Sequence, residues 1–259
     1  METATADIHC RIVNQEFHQP DGTPGRLPAA GELGRQYGLS RQAMNRVIDN
    51  LKSEGLVRTR AGSRGAMVQD WQPLVFLPQG EFDSREESPQ ADIYTRLVQS
   101  VHRKGTSRMD RVGVMPAQEP VRSRLGLRVG EFVAFRLRTN IVDGMPVHTD
   151  DSYVPLRLVE GSDWLLDDNV ERGTNTVLAE LGHELVRSVD ELTPRTTRPE
   201  ENTRLALGEG NSLPAIELLS TGYDRDGRPV QVTAFTLPRH RNTVVYERTK
   251  PAHQPQDTE

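Results

Sequence analysis

The stretch PGRLPAAGELGRQYGLSRQAMNRVIDNLKSEGLV, from Pro24 to Val57, decides the N-terminal fold. Within it, Ala43, Val47 and Leu51 form one i, i+4 line and Met44 and Ile48 form the line beside it. That spacing predicts a helix whose aliphatic stripe must be buried, with Ser40 as its N-cap and Gly55 as its stop. Arg41, Gln42, Asn45, Arg46 and Asp49 fall on the other side. Upstream, Ala30 to Tyr37 predicts a second short helix closed by Gly38, and the turn Gly38–Leu39 leads directly to Ser40. Further out, residues 7–17 place Ile8, Ile12 and Val13 near one face of a first helix, and the Pro- and Gly-rich residues 19–28 predict a loop. Three small helices with a tight turn before the last make a helix-turn-helix. Downstream, LVRTR, AGSRG and AMV read as strand, glycine-rich turn and strand, a wing carrying Arg58, Arg60 and Arg64.

Charge supports this division. The 259-residue chain has a formal net charge of −5. Yet between Ser40 and Val68 six Lys or Arg stand against two acids. A short basic footprint on an otherwise acidic chain suits local phosphate contact and not broad coating of nucleic acid. Apolar residues are 35% and charged residues 27%, as in a solvated globular protein. No apolar run is long enough to cross a bilayer. The N-terminus lacks the pattern of a signal peptide, and Cys10, the single cysteine, permits no intramolecular disulfide. The expectation is a cytoplasmic protein with no membrane partner.

The rest of the chain predicts a second domain. Residues 1–70 form the first, 71–88 read as a linker rich in Pro and acids, 89–250 form the second, and 251–259 read as a disordered tail. Helices are predicted at 91–102, 119–125, 176–181 and 200–207. The run EFVAFRLRTNIVDGMPVHTDDSYVP, from Glu131, alternates about a turn at Asp143–Gly144 and predicts a long hairpin. PAIELLSTGYDRDGRPVQVTAFTLP predicts another about Asp226–Gly227, and LVRSVDELTPRTT a further strand. Two long hairpins with interleaved helices give an α+β domain on an antiparallel sheet.

The motifs of the first 68 residues resemble the DNA-binding domain of the GntR family. Leu27-Pro28, Glu32-Leu33, Gly38, Ser40-Arg41, Leu51 and Glu54-Gly55-Leu56 fall at that family's spacing, followed by the glycine-containing wing. The remainder, with LGLRVGEFVAFRLRTNIVDGMPV, SYVP and YDRDGRPV, resembles the UTRA effector domain of the HutC-like branch. The resemblance implies an α+β fold class overall. A winged helix-turn-helix precedes a chorismate-lyase-like, antiparallel-sheet effector domain. It implies a transcriptional repressor whose operator affinity a small polar molecule lowers, with no cofactor and no enzymatic activity. Two departures stand out. Ala29, Ala30 and Gly31 replace the family's Ser-Glu-Arg, which removes a capping serine worth about 1 kcal/mol. Asn45 stands where an Arg is usual, and Asn prefers adenine where Arg prefers guanine.

The candidate DNA contacts are Ser40, Arg41, Gln42, Asn45 and Arg46 on the recognition helix, with Arg58, Arg60 and Arg64 on the wing. The candidate effector contacts implied by the resemblance are Arg136, Arg138, Asp150, Tyr153, Ser220, Tyr223 and Gln231. Relatives often carry Arg at the position of Ser220 and Glu at that of Gln231, so an effector less charged than a sugar phosphate is expected. One small winged domain suggests a homodimer on a palindromic double-stranded operator, with Phe132–Leu137 and Ile216–Leu219 as candidate contact strands. Two alternatives stand beside this reading. One is a ligand-responsive activator or dual regulator. The other is a metal-dependent enzyme using His148, Asp150 and Asp151, which carry the residue types of an acid–base or metal site.

Overall fold

The computed structural model describes residues 2–59, 65–69, 73–78, 98, 103–170, 172–207, 213–239 and 241–248. Three helices open the chain: α1 (Glu2–Val13), α2 (Ala30–Gln36) and α3 (Arg41–Ser53). The first begins earlier than residue 7 and gives way at Val13 to a turn in which Gln15 takes a positive φ. Met44, Val47, Ile48 and Leu51 of α3 are buried against Ile8, Ile12 and Leu33, so the predicted stripe is the core of this unit. Burial of each such side chain stabilises by roughly 1.5–3 kcal/mol. The Ser40 hydroxyl accepts from the Ala43 amide at 3.1 Å and caps α3, whereas Ala29 at the start of α2 offers no side-chain cap. The wing strands β1 (Val57–Arg58) and β2 (Met67–Val68) pair antiparallel. Arg60 and Arg64 lie outside the described residues, as does the predicted helix at 91–102 apart from Val98.

The C-terminal domain is built on a six-stranded antiparallel sheet. Its strands are β4 (Gly105–Pro116), β5 (Phe132–Val142), β6 (Met145–Pro155), β7 (Arg187–Thr196), β8 (Pro214–Tyr223) and β9 (Pro229–Pro238). Their order is β4-β5-β6-β9-β8-β7, so the two predicted hairpins lie side by side through β6 and β9. β4 carries no strand signal in the sequence because it is an edge strand, exposed or half-buried along its length, and so lacks apolar alternation.

Alternation and register sort the side chains to two faces. One face carries Val133, Tyr153 and Val232, covered by α4 (Val121–Arg124) together with Leu125 and Leu127. On the same face Arg204, from α7 (Pro199–Arg204), pairs with Asp151 and Asp110. The other face carries Ala134 and Val154 beneath Trp164 and Leu178, from the 3-10 turn Asp163–Leu165 and α6 (Thr174–Glu180); a short helix, α5 (Leu156–Val159), follows β6 on that side. Farther along this face, Leu218, Phe235 and Leu237 lie beneath Leu74 and Phe76.

Leu74 and Phe76 belong to β3 (Leu74–Phe76), a strand within the segment expected to be a linker. It pairs in parallel with β10 (Asn242–Val244), near the far end of the chain. The linker reading of 71–88 is thus corrected for 74–76: this apolar patch buries both Leu74 and Phe76 against the sheet of the second domain. Of the candidate dimer strands, Val133, Ala134, Phe135, Leu218 and Leu219 are buried within a single chain, and Phe132 is exposed.

Candidate functional site

The α3 surface is set by the stripe on its opposite side. With Met44, Val47, Ile48 and Leu51 buried, Arg41, Gln42, Asn45 and Arg46 are all exposed, together with Ser40. Arg41 and Arg46 make no ion pair among the described residues, so their forks are available to a duplex. The one acid on this side, Asp49, is held by Lys52 at 2.7 Å. Arg58 is exposed on β1, and among the described residues its guanidinium reaches the Met67 sulfur, at 3.9 Å. Arg26 was not singled out from the sequence. Its backbone bridges to Met67, which brings another exposed arginine beside the wing. The signal for it was only its place before Leu27-Pro28, and nothing local told that it would meet the wing.

On the second domain, a cleft of about 450 Å³, part of it open to solvent, lies between the Trp164 cover and the β3 cover. β3 supplies Phe76, and Pro78 follows it; β7 supplies Ser188 and Asp190, β8 Ser220, and β9 Gln231, Thr233 and Phe235. Gly222 lies in its floor, where a Cβ would meet the tip of the Leu185 side chain at 1.9 Å and oblige it to move. Of the expected effector contacts, Ser220 and Gln231 line this cleft. Arg138 and Asp150 are cross-strand partners on the same face, 3.5 Å apart as an ion pair. The Ser152 hydroxyl links that pair to Thr233, donating to Asp150 at 3.4 Å and lying 3.2 Å from Thr233 Oγ1.

Three expected contacts are placed otherwise. Arg136 shares the face but is only 1% exposed. Its guanidinium Nη atoms donate to the carbonyls of Trp164, Leu166 and Asp168 at 2.6–2.8 Å, so it pins the cover in place. Burial, and then the neighbouring Arg138, lower its pKa to about 10, which leaves it charged at neutral pH. Tyr153 packs on the opposite face with Val133 and Val232, and burial pushes its phenol up to about 12. Tyr223 pairs with Arg187, whose guanidinium stacks 3.9 Å from its ring, across the sheet from Ser188 and Gly222. Successive residues of a strand face opposite sides, so neither Tyr153, next to Ser152, nor Tyr223, next to Gly222, shares the cleft.

The motif His148-Thr149-Asp150-Asp151 is split by the same alternation. Asp151 binds Arg204 on the far face, while Asp150 binds Arg138 on the near one. His148 is fully buried between the side-chain amides of Asn140 (2.9 Å) and Asn242 (3.1 Å), edge-on to Phe76 and Phe235. The expectation of a metal-dependent site on these three residues does not survive this geometry. Among the described residues, no three His, Cys, Asp or Glu side chains are grouped to hold a metal ion.

The two domains meet through buried charge. Arg241, 1% exposed, donates to the carbonyls of Ser53 (2.8 Å), Leu205 (2.7 Å) and Pro146 (2.6 Å). Burial lowers its pKa to about 10, while Glu54 acts to raise it. Glu54 is itself buried, and burial raises its carboxyl pKa against the pull of Arg239 and Arg241. Gly55 completes the contact: its φ of +78° ends α3, and a Cβ there would meet the side chain of Met145 at the start of β6.

Comparison with known proteins agrees with both halves of this architecture. The UTRA domain family matches residues 100–242. The chain is 24% identical over 247 residues to the HTH-type transcriptional regulator GmuR of Bacillus subtilis, covering 94% of this chain and 95% of that one. It is 26% identical over 259 residues to the HTH-type transcriptional regulator Rv0792c of Mycobacterium tuberculosis, covering 94% and 84%. The fold is similar to that of PhnF from Mycobacterium smegmatis, with a TM-score of 0.56, 16% identity, and coverage of 95% and 99%. No described helix is long and apolar enough to cross a membrane. With its helix-turn-helix surface, its cleft and its matched sheet domain, the chain belongs to the UTRA domain family, as a DNA-binding, effector-responsive transcriptional regulator of the GntR type.

Proposed function

We propose that this protein is a repressor that binds a palindromic operator as a two-fold dimer and leaves it when a small molecule fills the cleft. α3 enters the major groove, with Arg41, Gln42, Asn45 and Arg46 toward base edges and phosphates. Ser40, Arg58, Arg60 and Arg64 contact the flanking backbone. Dimerisation through the C-terminal domain doubles a contact that a single small winged domain leaves modest.

One observation supports the effector response above the others. The backbone carbonyl of Arg241 accepts from the Leu74 amide at 2.9 Å, and its side chain holds the Ser53 carbonyl at the end of α3. Two residues beyond Leu74, Phe76 lines the cleft. Asn242, next to Arg241, bonds His148, whose ring lies against Phe76 and Phe235. A molecule that displaces Phe76 shifts β3 and β10 together, and with them the Arg241 guanidinium that holds the end of the recognition helix. The ligand thereby favours an arrangement of the two helices that no longer matches successive half-sites.

Enrichment of bound fragments from genomic DNA tests the reading. The expected result is a palindromic motif whose half-sites are about one helical turn apart, or a multiple of it. Reporter expression from a promoter carrying that motif should fall when the protein is present. No preference for any duplex, or a reporter that rises, would overturn it.

A further inference from the structure

Hydrogen-bond polarity in the cleft bears on what it binds. Gln231, 6% exposed, donates its Nε2 proton to Thr233 Oγ1 at 2.9 Å. Ser152 donates to Asp150, so its contact with Thr233 is completed by the Thr233 proton. Asp150 in turn faces Arg138. With Ser152 donating to Asp150, the bonded protons of this chain run from Gln231 toward Asp150. What remains at the cleft end is Gln231 Oε1, a buried acceptor with no partner. Leaving such an atom unmatched is costly, which marks it as a place for a ligand donor.

The other wall has the same polarity. Ser188 and Ser220 share a hydrogen bond at 2.5 Å, and Ser188 lies 3.3 Å from the Thr221 carbonyl, so when Ser188 donates to that carbonyl the Ser220 proton is used on its neighbour and its lone pairs stay open. Asp190 adds a carboxylate that accepts from Tyr246 at 3.1 Å and has capacity to spare. None of the described lining residues is Lys, Arg or His. The ends of the nearby guanidinium groups are engaged: the Arg136 Nη atoms by three carbonyls, Arg138 by Asp150, and Arg187 by the Tyr223 ring on the far face. An anion would bring further acceptors to a wall of acceptors and a carboxylate. Phe76 and Phe235 supply an apolar face 5.0 Å apart between ring centres.

We infer that the cleft takes a small protonated amine bearing hydroxyl groups, with the ammonium toward Asp190, a donor on Gln231 Oε1, and carbon against Phe76 and Phe235. The inference rests on the reading of the cleft as the effector site and gives that effector a chemical class.

The test is ligand-observed NMR and calorimetry on the full chain, without DNA. The panel consists of matched sets built on short polyols: the amino-polyol, the neutral polyol and the phosphate monoester of each. Amino-polyols are expected to bind, neutral polyols at least 10-fold more weakly, and phosphates not at all. Asp190→Asn, a near-isosteric change on the edge strand β7, should remove the 10-fold preference for the amine while leaving the fold intact by circular dichroism. Ser220→Trp should abolish binding of every member. Phosphates that bind as tightly as the amines, or an amine preference that survives in Asp190→Asn, would overturn the amine assignment while leaving the effector cleft standing. No binding by any member, or binding untouched by Ser220→Trp in a chain that still folds, would remove the amine assignment. Whether the protein responds to effectors at all is then decided separately by the operator-bound reporter.

Discussion

The guanidinium of Arg241 and the carbonyl of Ser53 are 2.8 Å apart, although 188 positions separate them in the chain. This contact closes the end of the recognition helix with a side chain from the effector domain. The same guanidinium satisfies Leu205 and Pro146 and faces the buried Glu54.

Arg241→Met keeps an unbranched stem, two atoms shorter, and removes all the donors. Three carbonyls lose their partner and Glu54 loses a compensating charge. The expected cost is about 3 kcal/mol or more, read by chemical denaturation of the full chain. If the domains are coupled through this contact, the variant also shows a smaller ligand-induced fall in operator affinity than the parent.

Arg41→Ala and Arg46→Ala each remove an exposed side chain with no ion pair in the described protein, so folding stability should change by less than about 0.5 kcal/mol. Operator affinity should fall by roughly 10-fold or more where the lost contact is to a base, with the specificity at that position relaxed. Where it is to a phosphate, the slope of log affinity against log salt should drop by about 1. Fluorescence anisotropy across a salt series separates the two.

The caps of the two helices that form the turn are unequal. Ser40→Ala removes the bond to the Ala43 amide and should cost about 1 kcal/mol. Ala29→Ser supplies a hydroxyl where α2 has none, on an extended backbone that suits a cap, and should gain about 1 kcal/mol. Thermal melts of the two variants should move in opposite directions.

Acid should loosen the contact between α1 and the segment after β9. Burial, and then Arg239, lower the His9 pKa to about 4 from its ordinary 6.5. The folded state therefore favours the neutral ring. Its contribution is fully present above pH 6.5 and is lost as pH falls from 6.5 to about 4, by roughly 3 kcal/mol in total. Glu54 opposes this, because burial raises its pKa and folding favours its protonated form. Denaturation of the parent and of His9→Gln between pH 7 and 4 isolates the histidine: the parent should lose more stability than the variant over that window.

Local chemistry determined much of this protein before any fold was considered. The stripe of α3, its Ser40 cap and Gly55 stop, and the alternation about Asp143–Gly144 and Asp226–Gly227 are written within a few residues of one another, and each formed as read. The exposed set Arg41, Gln42, Asn45 and Arg46 followed from the same period, since burying one side of a helix leaves the other to solvent. Tertiary structure decided what faces the cleft. Strand alternation says that Arg136 and Tyr153 point to opposite sides, but not which side is covered and by what, and so Arg136 became a brace and Tyr153 a core residue. Irregularities in register at Asn140/Ile141 and Gly222/Tyr223 added to the uncertainty of parity along each strand. The union of β3 with β10, and the burial of Arg241 against Ser53, have no local signal at all. They arise because residues far apart in sequence satisfy one another's backbone groups once the sheet has brought them together, and only the folded chain holds that information.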